Sequence, residues 1–398
     1  MPLFVLKGEH IEMELVRLKA SDYEEAVDFL DFVFSKAHRP HSFAEILPII
    51  YRPTDEHMSC NFAVKENDRI RAIVGMFPAE MKVGDTTLKV GGIGGVSAHP
   101  RDKGKGWMKL LMGAVNEEME KTGVDIGWLA GLRQRYQYFG YEKTGNMMEY
   151  SVDQTNLRHV FKGIDETGLK MVQIKESDMD KIRKAKELHD GQPVCCVRSL
   201  EDFWLYATAV CTVPWAAVNE NGEMVGYLVA SKQKDCVTEL FAENDDTLIA
   251  MIHAWMVQQD VEETKILLAP WQDSAARRLG KIAEEFRMLD SGNFRIFNWE
   301  KVVGSLMQVK NQLEPMEPGC LKLGIEGYGT LQMTVENGKV SCCKTQEEAD
   351  AWLDHHTACR VLFGNCPAHL VTELPANVSA ILKAWCPLPL CWLVQNHV

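Results

Sequence analysis

The segment 96–106, Val-Ser-Ala-His-Pro-Arg-Asp-Lys-Gly-Lys-Gly, lies between a strand-forming and a helix-forming run and constrains the fold more than any other stretch. Upstream, two β-rich runs at 69–82 and 86–98 are joined by Gly84-Asp85, a hairpin signal. Downstream, Met108, Leu111, Met112, Val115 and Met119 recur at helical spacing and predict one buried stripe. A strand at 125–132 and the aromatic segment 133–141 follow. Before the hairpin, 14–35 reads as a short strand, an N-cap at Ser21, and a helix with Ala26, Phe29, Leu30 and Val33 on one face. The order β-α-β-β-α-β-α-β predicts an α/β (α+β) fold with a mixed central sheet.

The chemistry is expected at the strand-to-helix junction. Gly104 and Gly106 let the backbone curl, so that successive N–H groups and the start of the helix dipole face one spot. Arg101, Lys103, Lys105 and Lys109 set four cations against one acid, Asp102. The chain as a whole carries a net charge of −13, so this local excess asks for an anion. A Walker loop needs Gly-Lys-Ser/Thr, which Lys105-Gly106-Trp107 does not supply. A dinucleotide fingerprint needs a third glycine where Lys109 stands. Arg/Gln-x-x-Gly-x-Gly/Ala is met by Arg101, Gly104 and Gly106.

With that motif and element order, the chain resembles the GNAT acetyltransferases, in which this loop holds the pyrophosphate of acetyl-coenzyme A. The segment Tyr136-Gln-Tyr-Phe139-Gly140-Tyr141 further resembles the Tyr-x-x-Phe-Gly-Tyr of the enhanced-intracellular-survival (Eis) branch. That resemblance implies three modules: an acetyltransferase domain at 1–152, a degenerate GNAT-like copy at 153–300, and a sterol-carrier-like domain at 301–398. Its C-terminus would reach the active site. In the middle module, helical and strand signals repeat loosely, with a hairpin near 219–222. The residues before its helix at 248–259 are Phe-Ala-Glu-Asn-Asp-Asp-Thr, an acidic loop that repels a pyrophosphate. In the third module, Asn337-Gly338 reads as a hairpin turn, and Thr345-Gln-Glu-Glu348 as the cap of a helix through Trp352.

The resemblance implies an N-acetyltransferase acting on a primary amine, including polycationic ones such as aminoglycosides or polyamines. Acetyl-coenzyme A is the expected co-substrate, held by Val96, Ala98, Arg101, Lys103, Gly104, Lys105, Gly106 and Trp107. Tyr136 is the implied general acid and the Val398 α-carboxylate the implied base; His99, beside the phosphate loop, is a poorer base candidate. Gly131 stands where a serine is frequent in the branch. A hexameric homo-oligomer is implied by resemblance alone. The competing reading is a non-catalytic acyl-coenzyme A or lipid-binding protein that uses the third module.

Composition narrows the partners. A polyanion is repelled by nucleic acid and by anionic membranes, and no run of about 18 apolar residues is present. The N-terminus lacks a signal-peptide pattern, and twelve cysteines without a C-x-x-C pair read as reduced thiols of a cytoplasmic protein. His355, His356 and Cys359 lack a fourth ligand at zinc-like spacing, so no metal is expected. The middle module holds 17 basic and 25 acidic residues, net −8, against −3 for 1–152 and −2 for 301–398. An acidic middle module fits a cationic acceptor.

Overall fold

The computed structural model describes residues 4–8, 11–37, 40–161 and 168–398. Strands Arg69–Val83 and Thr86–Ala98 form the expected hairpin, closing with Val83 opposite Thr86, at the centre of a nine-stranded mixed sheet. Helix Trp107–Thr122 covers one face, burying Leu111, Met112, Val115 and Met119 against Phe62, Val74 and Ile93, while Met108 stays half-buried. Helix Tyr23–Ala37 covers the other face through Ala26 and Leu30, which pack near Ile73, Tyr51 and Phe77. The expected cap at Ser21 is a correction. Ser21 lies inside a 3-10 turn, Ala20–Asp22, which Asp22 closes by accepting the Lys19 N–H at 2.8 Å. Asp55 takes the Ala20 N–H, so the chain tightens before the helix begins.

The sheets do not part at residue 152. Strand Met147–Asp153 leaves the first sheet and pairs antiparallel with Glu263–Leu268 and Glu285–Leu289 in a seven-stranded second sheet. In return, Gly292–Ile296 enters the first sheet between Ile126–Leu129 and Glu142–Thr144. Strand Val194–Cys196 also joins it, against Met81–Val83. Each of the first two modules therefore completes the other's sheet. The chain crosses over at Asn146, whose N–H and side-chain amide donate to Leu390 O and Phe363 O, both at 2.8 Å.

The third module packs helix Trp299–Leu313 under a four-stranded sheet made of Gly319–Ile325, Gly329–Glu336, Lys339–Thr345 and Ala351–Leu353. Asn337 and Gly338 both take positive φ (52° and 73°), as a two-residue hairpin turn requires. The helix expected after Thr345 is a second correction. Asp350 accepts the Lys322 N–H at 2.8 Å, and Ala351–Leu353 lies parallel beside Leu323–Ile325 as an edge strand. The Thr345 hydroxyl does accept the Glu347 N–H, but in a local turn. Beyond helix Ala376–Trp385 the chain turns inward, burying Leu388, Leu390, Cys391, Trp392 and Leu393 in the common core.

Candidate active site

Strand Thr86–Ala98 pairs in parallel with Ile126–Leu129 only from Val90 to Ile93. From Gly94 onward that edge has no strand partner among the described residues, and the register against Arg69–Val83 slips by a bulge between Ile73 and Gly75. The sheet splays there. A cleft of 990 Å³ opens at this point, lined by Val96, Ser97 and Ala98 and by Gly104, Gly106 and Trp107. Phe34 and Lys36 line it from one face of the sheet, and Arg135, Tyr138 and Phe139 from the other.

The loop between strand and helix is built to present bare N–H groups. Gly104 and Gly106 adopt φ of +88° and +83°, the left-handed region that disfavours a side chain. Gly106 is the N-cap of helix Trp107–Thr122 and offers no side-chain acceptor; the first turn holds no acid. The first N–H groups of that helix have no intrahelical partner and face the cleft with the dipole's positive end. The helix of the second module is the control. Asn244 caps helix Asp245–Gln258 by accepting the Thr247 N–H at 2.9 Å, and Asp245 and Asp246 occupy its first turn. That N-terminus satisfies itself and presents negative charge.

Not every cation of the loop faces the cleft. Lys105 is held by Asp102 at 2.8 Å and by Glu66 at 3.6 Å, and Asp102 is also met by Arg71 at 2.5 Å. Burial alone would raise the Asp102 carboxyl, but Lys105 and Arg71 outweigh it and hold it below the usual range. This network ties the loop to two strands, and the Lys105 side chain serves the loop's shape. Arg101 is exposed and does not line the cleft, whereas Lys103 does. His99 Nδ1 accepts the Arg101 N–H at 3.2 Å and its ring stacks on Phe32, so it faces away from the opened strand edge.

Tyr136 lies in the short helix Arg133–Gln137, buried in the same cluster as Leu129, with Val96 and Ala98 packed against it. Burial pushes its hydroxyl above the ordinary phenol value, with Arg135 pulling the other way. Its ring lies on Gly131: a Cβ there would fall 2.3 Å from the ring. Val398 sits on the opposite face of the sheet, beside Phe77 and Tyr51. A Cβ on Gly94 would meet the Val398 carboxyl carbon at 2.5 Å, and one on Gly92 would meet a Val398 methyl at 2.7 Å. The end of the chain thus lies where the parallel ladder stops. Gly92 and Gly94 leave the room for this approach, as a strand carries glycine where another backbone comes close.

Sequence reasoning missed what holds the tail. Arg198, fully buried, donates to Asn396 Oδ1 from Nε (3.1 Å) and Nη2 (2.7 Å), and to both oxygens of Glu239 at 3.0 and 2.7 Å. The Tyr227 hydroxyl donates to Glu239 at 2.9 Å. Burial opposes ionisation of Glu239, but the Arg198 guanidinium wins and holds the carboxyl low. His355, His356 and Cys359 do not gather round one point; among the described residues the group within ligand reach is His189, Asp190 and Cys195, where Asp190 is already paired to Lys186. No helix among the described residues is long and apolar enough to cross a membrane.

Residues 14–144 match the acetyltransferase (GNAT) domain family. No curated protein matches the chain. Among solved structures, the fold is similar to a GCN5-related N-acetyltransferase from Kribbella flavida, at 16% identity over 94% of this chain and 96% of that one, with a TM-score of 0.67. A GCN5-related N-acetyltransferase from Anabaena variabilis gives 12% identity, coverage of 94% and 97%, and a TM-score of 0.67. Eis1 from Mycobacterium abscessus gives 12% identity, coverage of 96% and 100%, and a TM-score of 0.66. Residues 14–144 therefore form a GNAT acetyltransferase domain, and the likeness of fold to these structures extends over 94–96% of the chain.

Proposed function

We propose that the chain moves an acetyl group from acetyl-coenzyme A to a primary amine. The observation that carries this reading is the uncapped helix N-terminus at Gly106 opening onto the splayed strand edge at Gly94–Ala98. The residues fit the donor. Backbone N–H groups of Gly104, Gly106 and Trp107, with the Lys103 ammonium, would take the pyrophosphate. The unpaired edge at Val96 and Ala98 would hydrogen-bond an extended amide-bearing arm and bring a thioester to the gap between the strands. The Lys105 and Arg101 N–H groups are taken by Asp102 O and His99 Nδ1, so these two residues contribute through loop shape and long-range charge.

In this reading the acceptor enters on the face that holds Val398. The amine nitrogen attacks the thioester carbonyl carbon, a C–N bond forms, and the C–S bond breaks. The departing thiolate takes the Tyr136 hydroxyl proton, which burial keeps in place at neutral pH. A cationic acceptor first gives a proton through the Val398 carboxylate to water, which frees the attacking lone pair; after attack the nitrogen's second proton leaves by the same route, and the phenolate is reprotonated from solvent. A chain-terminal carboxylate is a weak base, ordinarily half-protonated only near pH ~3.5, so much of its value lies in holding a cationic amine in the gap. The acidic middle module favours a polycationic acceptor. A homo-oligomer, hexameric by resemblance, belongs to the same reading.

The test is thiol release from acetyl-coenzyme A in the presence of a mono- and polyamine panel, with Tyr136→Phe beside the wild type. Amine-dependent release that falls in the variant while acetyl-coenzyme A still binds supports the assignment. Full turnover in Tyr136→Phe removes Tyr136 from it.

A further inference from the structure

The second module lacks a coenzyme loop, yet it spends a fully buried ion pair on the tail of the third. Burying a guanidinium and a carboxylate together contributes little net stability, because desolvation offsets the attraction. Such a pair is better explained by what it orients. Glu239 stands on strand Cys236–Ala242, and the Tyr227 hydroxyl fixes it from the neighbouring strand Met224–Ser231. Glu239 takes one N–H from each Nη of Arg198. The Nε–H and a second Nη2–H then need an acceptor, and both go to Asn396 Oδ1.

Around that point the tail is held on every side. Its 3-10 turn Val394–Asn396 packs against Cys236–Ala242. Gln395 Nε2 donates to Thr212 Oγ1 at 3.3 Å, and Trp392 Nε1 donates to Asn396 O at 2.9 Å. The His397 ring lies 4.7 Å from the Trp128 ring, which belongs to the first sheet. Asn396 and Val398 are two positions apart, a reach of about 7 Å. The carboxyl over Gly94 therefore inherits its position from Arg198.

We propose that Arg198 is a positioning residue: fixed by Glu239 and Tyr227, it sets the Val398 carboxyl at the splayed strand through Asn396. The second module is then a clamp for the active-site tail. This inference rests on the use of Val398 proposed above, but the clamp is separable from the chemistry by experiment.

Hydrogen exchange of the Asn396 and His397 amides, which donate to Leu393 O and Val394 O, reads the clamp without reference to activity. Steady-state kinetics with a saturating amine and acetyl-coenzyme A affinity are measured on the same samples. Asn396→Leu keeps the branched shape and removes the acceptor. It should exchange these amides at least about tenfold faster and lose about 10- to 100-fold in kcat, with acetyl-coenzyme A affinity unchanged. Asn396→Asp keeps an acceptor and should stay near wild type. Arg198→Lys keeps the charge beside Glu239 but loses the fork, and should move in the direction of Asn396→Leu even if that variant folds poorly. Unchanged exchange in both Asn396→Leu and Arg198→Lys overturns the clamp. Faster exchange with undiminished kcat upholds the clamp and overturns the catalytic use of Val398.

Discussion

Replacing Gly94 by alanine adds one methyl at the place where the tail meets the strand. The new Cβ would stand 2.5 Å from the Val398 carboxyl carbon and 2.7 Å from its oxygen, with Phe77 at 3.2 Å. Carbon atoms rest at about 3.5–4.0 Å, so the carboxyl must retreat by about 1 Å. Overpacking of this kind costs about 1–3 kcal/mol. Upstream, Asn396 and Gln395 are tied to Arg198 and Thr212, so the displacement falls on the last two residues. A misplacement near 1 Å can cost about 100-fold in rate. Gly94→Ala is therefore expected to lower kcat by about 10- to 100-fold, with acetyl-coenzyme A affinity unchanged because the loop at 103–107 is untouched. Gly92→Ala meets the Val398 methyls, at 2.7 and 3.4 Å, rather than its carboxyl and should lose less. The assay is thiol release with a saturating amine, paired with calorimetric titration of acetyl-coenzyme A and a thermal melt. Full kcat in Gly94→Ala would refute the reasoning, since the tail would then be free to leave without consequence.

Gly104→Ala and Gly106→Ala each force a side chain into positive φ, at about 1–2 kcal/mol, and should weaken acetyl-coenzyme A about 5- to 30-fold by titration; unchanged affinity would remove the loop as the donor's seat. Gly131→Ser places its Cβ against the Tyr136 ring and should lower kcat more than it alters acetyl-coenzyme A affinity, which paired kinetics and titration would show. Burial lowers His397 and His355 each to about 4, so the unfolded chain binds more protons than the native one between pH 6.5 and about 4. Stability should thus fall as pH drops through that window, by up to about 1.4 kcal/mol per pH unit for each histidine. Urea midpoints at pH 7.5 and 5 measure this, and His397→Phe should flatten the slope.

The first module was legible because its signals are local. The hairpin at Gly84-Asp85, the stripe from Leu111 to Met119, and the bare glycines at 104 and 106 each follow from neighbours in sequence. Long-range partners overrode the local signals elsewhere. Met147–Asp153 alternates like any half-buried strand, and nothing in it says which sheet it will join; the exchange with Gly292–Ile296 is decided by packing across more than a hundred residues. Thr345 and Glu348 match a capping box, but Asp350 finds the Lys322 N–H first and the segment ends as a strand. At the loop, charge counting gave four cations, while the fold pairs Lys105 with Asp102, keeps Arg101 off the cleft and leaves Lys103 and Lys109 lining it. Arg198 carried no signal at all, since a buried arginine is recognised only by the Glu239 and Asn396 that meet it in space.

The central claim is that this fold brings a bound thioester and an amine together at the gap beside Gly94. The measurement that tests it most directly is release of the coenzyme A thiol from acetyl-coenzyme A across a panel of mono- and polyamines. The account predicts release that saturates with amine, is steepest for polyamines, and yields an equal amount of N-acetylated product. Tight binding of acetyl-coenzyme A with no amine raising thiol release above background hydrolysis would contradict it.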